Sequence, residues 1–451
     1  MKKYFLAVAS FFIYSHISLG QVYPGQMDST FVPVRSHHYD PELTFDFCVN
    51  EPAWSNQAGI HSAFGSTDRL YFRKEVPVNH DNDLSSSYST TVWRGERANA
   101  QILVWSSEAL EQVRVSTQDL RSAEGNIIPK DRITFELVRY VLSNYPYAEK
   151  KAICGESPYK SGFLMPDRFE TLDRFDLPSQ TTRPVWMMVD VPRGTVPGTY
   201  KGQVEVRAKG KAPQLLNLEI VVQNQLLPYP KDWKYRLDLW QNPWAVAWYN
   251  HVEPWSPEHK MLLKQHLKHY ADAGGTYITT YGVHSPWSDN SYMIEGGMIE
   301  WIKKADGTWA FDYKIFDEYV ELAMECGIDE AITLYTPIPW GFRHRYKDEA
   351  TGDYSYINWA PSSEEFKKMW NIFLTDFKFH LEAKSWLDIT YIGINENPME
   401  ETLAAINVVR NHDKCWKITY AGNWHKELDG LLDDYSFLYG EEPTIAEQKA
   451  R

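Results

Sequence analysis

The alternation of apolar and polar residues changes once along the chain, and the change predicts two domains. From about Phe45 to Gln225, short segments alternate between apolar and polar residues, which is the pattern of half-buried β-strands. Turn residues separate these segments, as in the Pro/Gly-rich run from Val191 to Tyr200. Short strands with turns between them are typical of an all-β sandwich. We predict strands over residues 91–93, 100–105, 133–138, 186–191, 203–206 and 218–222.

A proline-rich segment, Leu227 to Lys231, separates this part from the rest of the chain. Pro228 and Pro230 interrupt regular structure and suit a linker. We therefore place a β-sandwich domain over residues 21–230 and a second domain over residues 231–451.

In the second domain, apolar strand-like segments alternate with helical segments. Repeated β/α units of this kind form a doubly wound sheet or a barrel, and no Gly-x-Gly-x-x-Gly follows the first strand. We predict a (β/α)8-type TIM barrel that is truncated after about six β/α units. Its strands are expected over 235–240, 276–281, 331–335, 389–394, 417–421 and 435–439. Helices are expected from Pro257 to Gly274, from Tyr313 to Cys326, from a capping box at Ser362–Glu365 to Ala383, and after Pro398.

The amino terminus predicts export. Lys2 and Lys3 precede a largely apolar stretch, and small residues follow it before Gln21, which is the pattern of a signal peptide over residues 1–20. The stretch is short for a membrane span, and we expect no transmembrane segment. The localisation predicted is therefore periplasmic or extracellular.

Charge and cysteine spacing narrow the classes of partner. The net charge of -14 argues against a nucleic-acid partner, because such proteins carry basic patches. The four cysteines are widely spaced, which argues against a zinc site, and nothing in the sequence indicates a cofactor. Export permits disulfides; four cysteines allow three pairings, and one of these includes a bond between Cys48 and Cys154. The sequence gives no oligomeric state.

Aromatic and amide residues follow the predicted barrel strands. Aromatic residues make up 15% of the chain. The active sites of TIM barrels lie at the carboxyl ends of the strands, and an aromatic bowl with amides suits a sugar, which offers an apolar face and hydroxyl groups. The candidate substrate-binding residues are Trp240, Asn242, Tyr281, His284, Trp287, Tyr335, Trp340, Arg343, Tyr420, Asn423 and Trp424.

The segment Asn395-Glu396-Asn397-Pro398, at the end of the fourth predicted strand, carries the strongest catalytic signal. Asn397 is expected to cap the next helix, with Pro398 at its first position and Glu400 closing a capping box. Glu396 is then free for chemistry. We expect its carboxyl to be half-buried among Trp and Tyr side chains, an environment that suits a general acid.

Three segments together resemble glycoside hydrolase family 123 and its uncharacterised relatives. They are Trp93–Arg97, Val191–Gly202 and Tyr391–Glu400. The resemblance implies a β-sandwich followed by a TIM-type barrel, and exo-cleavage of β-linked N-acetylgalactosamine. It also implies a substrate-assisted mechanism, in which a Glu protonates the leaving oxygen and the preceding Asp orients the acetamido group whose carbonyl attacks the anomeric carbon.

Glu396 matches the family's Glu, but Asn395 stands where the family has Asp. An amide can orient the 2-substituent of the sugar but supplies no negative charge. We therefore predict a glycosidase for β-linked (N-acetyl)hexosamine glycans, with Glu396 as general acid/base and Asn395 orienting the 2-substituent. Two alternatives stay open. Asn-Glu also resembles the signature of a large clan of retaining glycosidases whose nucleophile lies on strand seven, and the chain could bind glycans without catalysis.

Overall fold

A computed structural model describes residues 51–77, 84–143, 163–287 and 296–437. Contacts within the chain divide it into two compact units, one ending at Leu227 and the other beginning at Pro228. The predicted signal peptide, Cys48 and Cys154 lie outside the described residues. Of the remaining cysteines, Cys326 is buried and Cys415 is exposed, and both are free thiols.

The first unit is built of β-strands. Its twelve strands are β1 (His61–Gly65), β2 (Ser87–Arg94), β3 (Arg97–Ser106), β4 (Leu110–Thr117), β5 (Leu120–Arg121), β6 (Ile127–Ile128), β7 (Ile133–Ser143), β8 (Phe163–Thr171), β9 (Phe175–Leu177), β10 (Thr181–Asp190), β11 (Gly198–Arg207) and β12 (Gln214–Leu226). All six predicted strand segments lie in these strands, apart from Val191, which follows β10.

These strands form two sheets around a shared apolar core. One sheet has the order β1-β3-β10-β7-β8, and the other runs β2-β12-β11-β4-β9 with β5 and β6 beside β11. Neighbouring strands are antiparallel except β2 and β12. Side chains such as Ile102, Val189 and Val204 are fully buried in one core. Alternate residues of a strand point to opposite faces, so each sheet buries one face. The predicted sandwich is confirmed.

The second unit alternates strands and helices. Its strands are β13 (Tyr277–Tyr281), β14 (Glu300–Lys303), β15 (Trp309–Asp312), β16 (Ala331–Tyr335), β17 (Arg343–Asp348), β18 (Tyr354–Asn358), β19 (Thr390–Ile394), β20 (Lys417–Ala421) and β21 (Asp434–Ser436). Its helices are α1 (Pro243–Tyr249), α2 (Pro257–Asp272), α3 (Lys314–Glu325), α4 (Glu364–Lys384) and α5 (Met399–His412). Short 3-10 turns in the chain lie at Glu51–Trp54, Lys130–Arg132, Pro230–Asp232, Trp340–Phe342, Leu387–Ile389 and Lys426–Leu428.

Five of these strands form a parallel sheet in the order β13-β16-β19-β20-β21. Ile332 of β16 and Ile392 of β19 share one core with Phe316 of α3 and Phe373 of α4, so the helices cover the outer face of the sheet. Five parallel strands with covering helices are part of a TIM-type barrel, and the predicted fold class is confirmed. All five strands had been predicted, within one or two residues where they are described.

The prediction of a strand over residues 235–240 is wrong, because only Leu237 forms a β-bridge, with Gly275. In this segment, hydrogen bonds with side chains take the place of regular backbone pairing between strands. The hydroxyl of Tyr270 donates to the carbonyl oxygen of Leu237 at 2.7 Å, and the amide of Leu239 donates to that hydroxyl at 3.2 Å. The backbone amide of Thr279 donates to Oε1 of Gln241 at 3.0 Å. The segment therefore runs beside β13 without pairing regularly.

This unit also contains a second, smaller sheet that was not predicted from the sequence. Its order is β15-β14-β17-β18, and it consists of two hairpins that follow β13 and β16. Trp301 of β14 is buried against Trp370 and Phe373 of α4, with ring centroids 5.5 Å and 4.7 Å apart. Aromatic packing therefore joins this sheet to α4.

Serine side chains cap the starts of α2 and α4. Ser256 caps α2 by accepting a hydrogen bond from the amide of His259. Ser363 caps α4 by accepting one from Phe366. The capping box predicted at Ser362–Glu365 is wrong, since the third helical residue is Phe366. In the described part of the chain, no helix is long and apolar enough to cross a membrane.

Candidate active site

Asn395 and Glu396 follow β19 at its carboxyl end, where catalytic residues of barrels lie. Asn395 is buried, with 1% of its surface exposed. Glu396, the next residue, is exposed. Gly393 allows β19 to pack closely on β16, because a Cβ there would lie 2.9 Å from Cδ1 of Tyr335. The end of β19 therefore presents one polar side chain to the interior and one to solvent.

Trp287 fixes the amide of Asn395. Its indole nitrogen donates to Oδ1 of Asn395 at 3.0 Å. An indole N–H can only donate, so the oxygen of the amide must face Trp287 and the NH2 group must face away. Nδ2 of Asn395 is buried and has no hydrogen-bond partner among the described residues. A buried donor without a partner calls for a ligand or water, so Asn395 offers a donor at this position.

Asn423 and Tyr420 surround the carboxyl group of Glu396. Nδ2 of Asn423 donates to Oε1 of Glu396 at 3.0 Å. The hydroxyl of Tyr435 donates to the carbonyl oxygen of Asn423 at 2.8 Å, which fixes the backbone of that loop. Burial, then the charge of Glu396, raises the pKa of Tyr420 to about 12. The predicted half-burial of Glu396 among Trp and Tyr is wrong, because its side chain lies beyond the strand and turns to exposed Asn423.

Four of the predicted aromatic residues form one cluster. The rings of Trp240 and Trp287 stack at 5.1 Å, and Tyr335 lies 4.9 Å from Trp240 and 5.2 Å from Trp287. Tyr281 meets Trp287 edge-on at 5.4 Å. Trp240 is 47% exposed, whereas Tyr281 and Tyr335 are buried. Trp240 is thus the ring of this cluster with surface free to stack on a sugar.

Asn242, Trp340 and Trp424 have different surroundings. Oδ1 of Asn242 caps α1 by accepting from the amide of Ala245 at 3.2 Å, so that side chain has a structural partner. Trp340 is half-buried, and its backbone amide donates to the carbonyl oxygen of Pro286 at 2.9 Å, which joins the loops after β13 and β16. Trp424 is half-buried beside Asn423.

His284 and Arg343 belong to a second group beside the loop that carries Trp287. Nη1 of Arg345 lies 3.3 Å from Nε2 of His284. Burial, then the charges of Arg345 and Arg343, lowers the pKa of His284 to about 4, so this imidazole is neutral near pH 7. Arg343 is exposed and lies over the ring of Tyr356 at 4.4 Å.

The predicted capping of α5 by Asn397 is wrong. The capping position is Pro398, and α5 has no side-chain cap. Nδ2 of Asn397 instead donates to the carbonyl oxygen of Ile338 at 3.1 Å, which ties the loop after β19 to the loop after β16. This contact draws the side chain away from the helix, and the proposed role of Glu400 in a capping box fails with it.

Sequence reasoning missed Asp238, Arg345 and Tyr435. Burial, then the neighbouring charge of Asp434, raises the pKa of Asp238 to about 6. Oδ1 of Asp238 is buried and has no hydrogen-bond partner within the described ranges. A carboxyl group in a segment predicted to be a barrel strand was an available signal. For Arg345, the signal was its spacing of two residues from Arg343.

Comparisons with known proteins agree on one family. The family model described as "Glycoside hydrolase 123, catalytic domain" matches residues 240–451, and "Glycoside hydrolase 123 N-terminal domain" matches residues 64–208. A family 123 glycoside hydrolase from Clostridium perfringens, solved to explain glycolipid glycan hydrolysis, is 26% identical with a TM-score of 0.75. The match covers 84% of this chain and 67% of that enzyme.

The PapD-like domain 7 of human CEP192 is a much weaker match. It is 12% identical with a TM-score of 0.20, over 41% of this chain and 99% of that domain, which is too low to bear on function. No curated protein matches the chain.

Proposed function

The chain belongs to glycoside hydrolase family 123, and we propose that it is an exported glycosidase acting on β-linked (N-acetyl)hexosamine-containing glycans. Glu396 is the general acid and base, and Asn395 orients the 2-substituent of the sugar. The apolar stretch behind Lys2 and Lys3 supports export. The Clostridium perfringens relative acts on glycolipid glycans, which supports a substrate of the same broad kind.

One observation carries the proposal: two consecutive polar residues at the end of β19 are held in different ways. Asn395 is buried and hydrogen-bonded to Trp287, whereas Glu396 is exposed and hydrogen-bonded to Asn423. A glycosidase needs one group that fixes the sugar and another that exchanges a proton with the leaving oxygen. In this proposal, Asn395 fixes the sugar and Glu396 exchanges the proton.

In the proposed reaction, the carbonyl oxygen of the substrate's 2-acetamido group attacks the anomeric carbon. The bond to the leaving oxygen breaks as the Glu396 carboxyl donates its proton to that oxygen. Glu396, now a carboxylate, then takes a proton from water, and the water oxygen opens the cyclic intermediate. Asn423 holds the carboxylate through its 3.0 Å hydrogen bond.

Asn395 favours a second candidate function, glycan binding without turnover. Because its oxygen faces Trp287, its free group is the NH2 donor. A donor binds the acetamido carbonyl oxygen and withdraws electron density from the atom that must attack. A carboxylate would instead accept from the acetamido N–H and stabilise the positive charge that develops. The amide therefore supports binding more strongly than catalysis.

Assays of hydrolysis and binding on the same protein separate the two candidates. The full chain is incubated with a nitrophenyl β-N-acetylgalactosaminide and with the matching β-galactoside, and binding of N-acetylgalactosamine is measured by calorimetry. Release of nitrophenol from the first substrate supports the glycosidase. Binding without release supports the second candidate, and neither binding nor release contradicts both. Faster cleavage of the galactoside would contradict the substrate-assisted mechanism.

A further inference from the structure

One face of the small sheet carries two arginines that stack on tyrosines. Arg343 and Arg345 are alternate residues of β17 and therefore share a face. Arg343 lies over the ring of Tyr356 at 4.4 Å, and Arg345 lies over Tyr354 at 4.2 Å, both tyrosines being in the paired strand β18. A cation–π contact holds a guanidinium group over the ring and leaves its N–H groups able to donate to an acceptor.

This face adjoins the loop that reaches the catalytic pair. Nη1 of Arg345 lies 3.3 Å from Nε2 of His284, three residues beyond the end of β13. Three residues further along the same loop, Trp287 contacts Asn395. The arginine face is therefore connected to the site at the end of β19 through one short stretch of chain.

The contact with Arg345 also sets the proton position of His284. A guanidinium group has donors and no acceptor, so Nε2 of His284 must accept. The imidazole is neutral near pH 7, and its proton is therefore on Nδ1. Nδ1 is buried and has no hydrogen-bond partner in the part of the chain that the structure describes. His284 thus adds a third donor group beside the two guanidinium groups.

Among the residues that the structure describes, one carboxylate lies near these donors. Glu300 lies 3.9 Å from Arg345, and it also accepts a hydrogen bond from the hydroxyl of Tyr354 at 2.7 Å. Arg343 has no ion-pair partner among residues 51–77, 84–143, 163–287 and 296–437. The whole chain has a net charge of -14, so carboxylates are abundant elsewhere. A positive face with an unpaired guanidinium in an acidic protein complements an anion.

We propose that Arg343, Arg345 and His284 form a subsite for an anionic group of the glycan, a sulfate ester or a carboxylate on a sugar residue. The proposal rests on the proposed glycan-directed function and specifies its substrate class. The guanidinium groups bind the anion through charge-assisted hydrogen bonds, and Nδ1–H of His284 donates a further one. The exposed rings of Tyr354 and Tyr356, 50% and 49% accessible, offer apolar surface beside it.

Calorimetry with three sugars tests the subsite independently of turnover. The full chain is titrated at low salt with N-acetylgalactosamine, with its 6-sulfate and with glucuronic acid, and each titration is repeated with Arg343→Gln. Lys347→Gln is the matched control, because Lys347 is an exposed cation on the same face of β17. Both substitutions replace an exposed side chain, and circular dichroism checks that each variant is folded.

We expect the sulfated or the carboxylated sugar to bind wild type at least about 10-fold more tightly than the neutral sugar, an advantage that higher salt reduces. Arg343→Gln should abolish this advantage, and Lys347→Gln should retain it. The stronger of the two anionic ligands identifies the group. Equal binding of all three sugars contradicts the subsite alone, as does an advantage that Arg343→Gln leaves intact. Absence of binding by every sugar contradicts the proposed function as well.

Discussion

The indole nitrogen of Trp287 donates a hydrogen bond to Oδ1 of Asn395 at 3.0 Å. This contact decides which end of the amide meets a ligand, because the indole cannot accept. The buried Nδ2 is then the group left for the substrate. The amide of Asn395 is therefore held in one orientation.

Asn395→Asp should raise the turnover of a β-N-acetylgalactosaminide by about 10- to 100-fold, measured as kcat. The carboxylate keeps one oxygen on Trp287 and offers the other to the acetamido N–H. The same variant should unfold at a lower temperature near pH 7, because a carboxylate at a position only 1% exposed is costly to bury. A variant as stable as wild type with unchanged kcat would contradict this description of Asn395.

Trp240→Ala should raise the KM for aryl glycosides about 3- to 10-fold with little change in kcat. Trp240 is 47% exposed and stacked on Trp287, so its free surface can cover a sugar ring, and aromatic stacking is worth about 0.5–1.5 kcal/mol. Trp248→Ala is the control, since Trp248 is 38% exposed on α1. A KM that rises equally in both variants would argue against stacking by Trp240.

Asn423→Ala should lower kcat about 3- to 10-fold and leave KM nearly unchanged. Asn423 donates to Oε1 of Glu396 at 3.0 Å, and one hydrogen bond between exposed side chains contributes about 0.5–1.5 kcal/mol. Lys426→Ala serves as the comparison, because Lys426 is exposed in the same loop. If Asn423→Ala changed KM and left kcat intact, Asn423 would bind substrate rather than position Glu396.

Asp238→Asn should stabilise the protein at pH 7 and have little effect at pH 4. Burial, then the charge of Asp434, raises the pKa of Asp238 from 3.8 to about 6. The folded state therefore holds this proton more tightly than the unfolded state. Stability is highest with the group protonated, and it falls as pH rises from about 4 to about 6. Asparagine cannot ionise, so the variant lacks this loss.

Thermal unfolding between pH 4 and pH 7 measures this difference. The gap between the melting temperatures of Asp238→Asn and wild type should open as pH increases, by about 2–4 °C for each kcal/mol. Asp329→Asn, at an exposed position, should show no such gap. A gap that is constant with pH would mean that Asp238 is not the titrating group.

The sequence predicted those elements whose pattern is local. β16 and β20 are found at the predicted residues, because buried strands read as short apolar runs. The segment around Leu237 has the same pattern, but the Tyr270 hydroxyl bonds to the carbonyl oxygen of Leu237, and the Gln241 side chain bonds to the backbone of β13. These side-chain contacts replace regular strand pairing, and a local pattern does not reveal them. The small sheet was missed because it packs against α4. The periodicity of a short segment does not show such a contact with a residue distant in sequence.

The two central residues of the site were predicted from the sequence, but their hydrogen-bond partners were not. Asn395 and Glu396 could be found because they follow a strand, a position that barrels use for chemistry. Their surroundings could not, because Trp287 and Asn423 lie on other loops. Asn397 shows the same limit: its sequence context indicates a helix cap, and its actual partner is Ile338, 59 residues away.

Hydrolysis of a nitrophenyl β-N-acetylgalactosaminide by Glu396→Gln tests the central claim most directly. Glu400→Gln is the matched control, since Glu400 is an exposed glutamate four residues away in the first turn of α5. With Glu396 as general acid and base, kcat should fall by about 100- to 10,000-fold in Glu396→Gln and stay at the wild-type value in Glu400→Gln. Wild-type turnover in folded Glu396→Gln would contradict the assignment of Glu396.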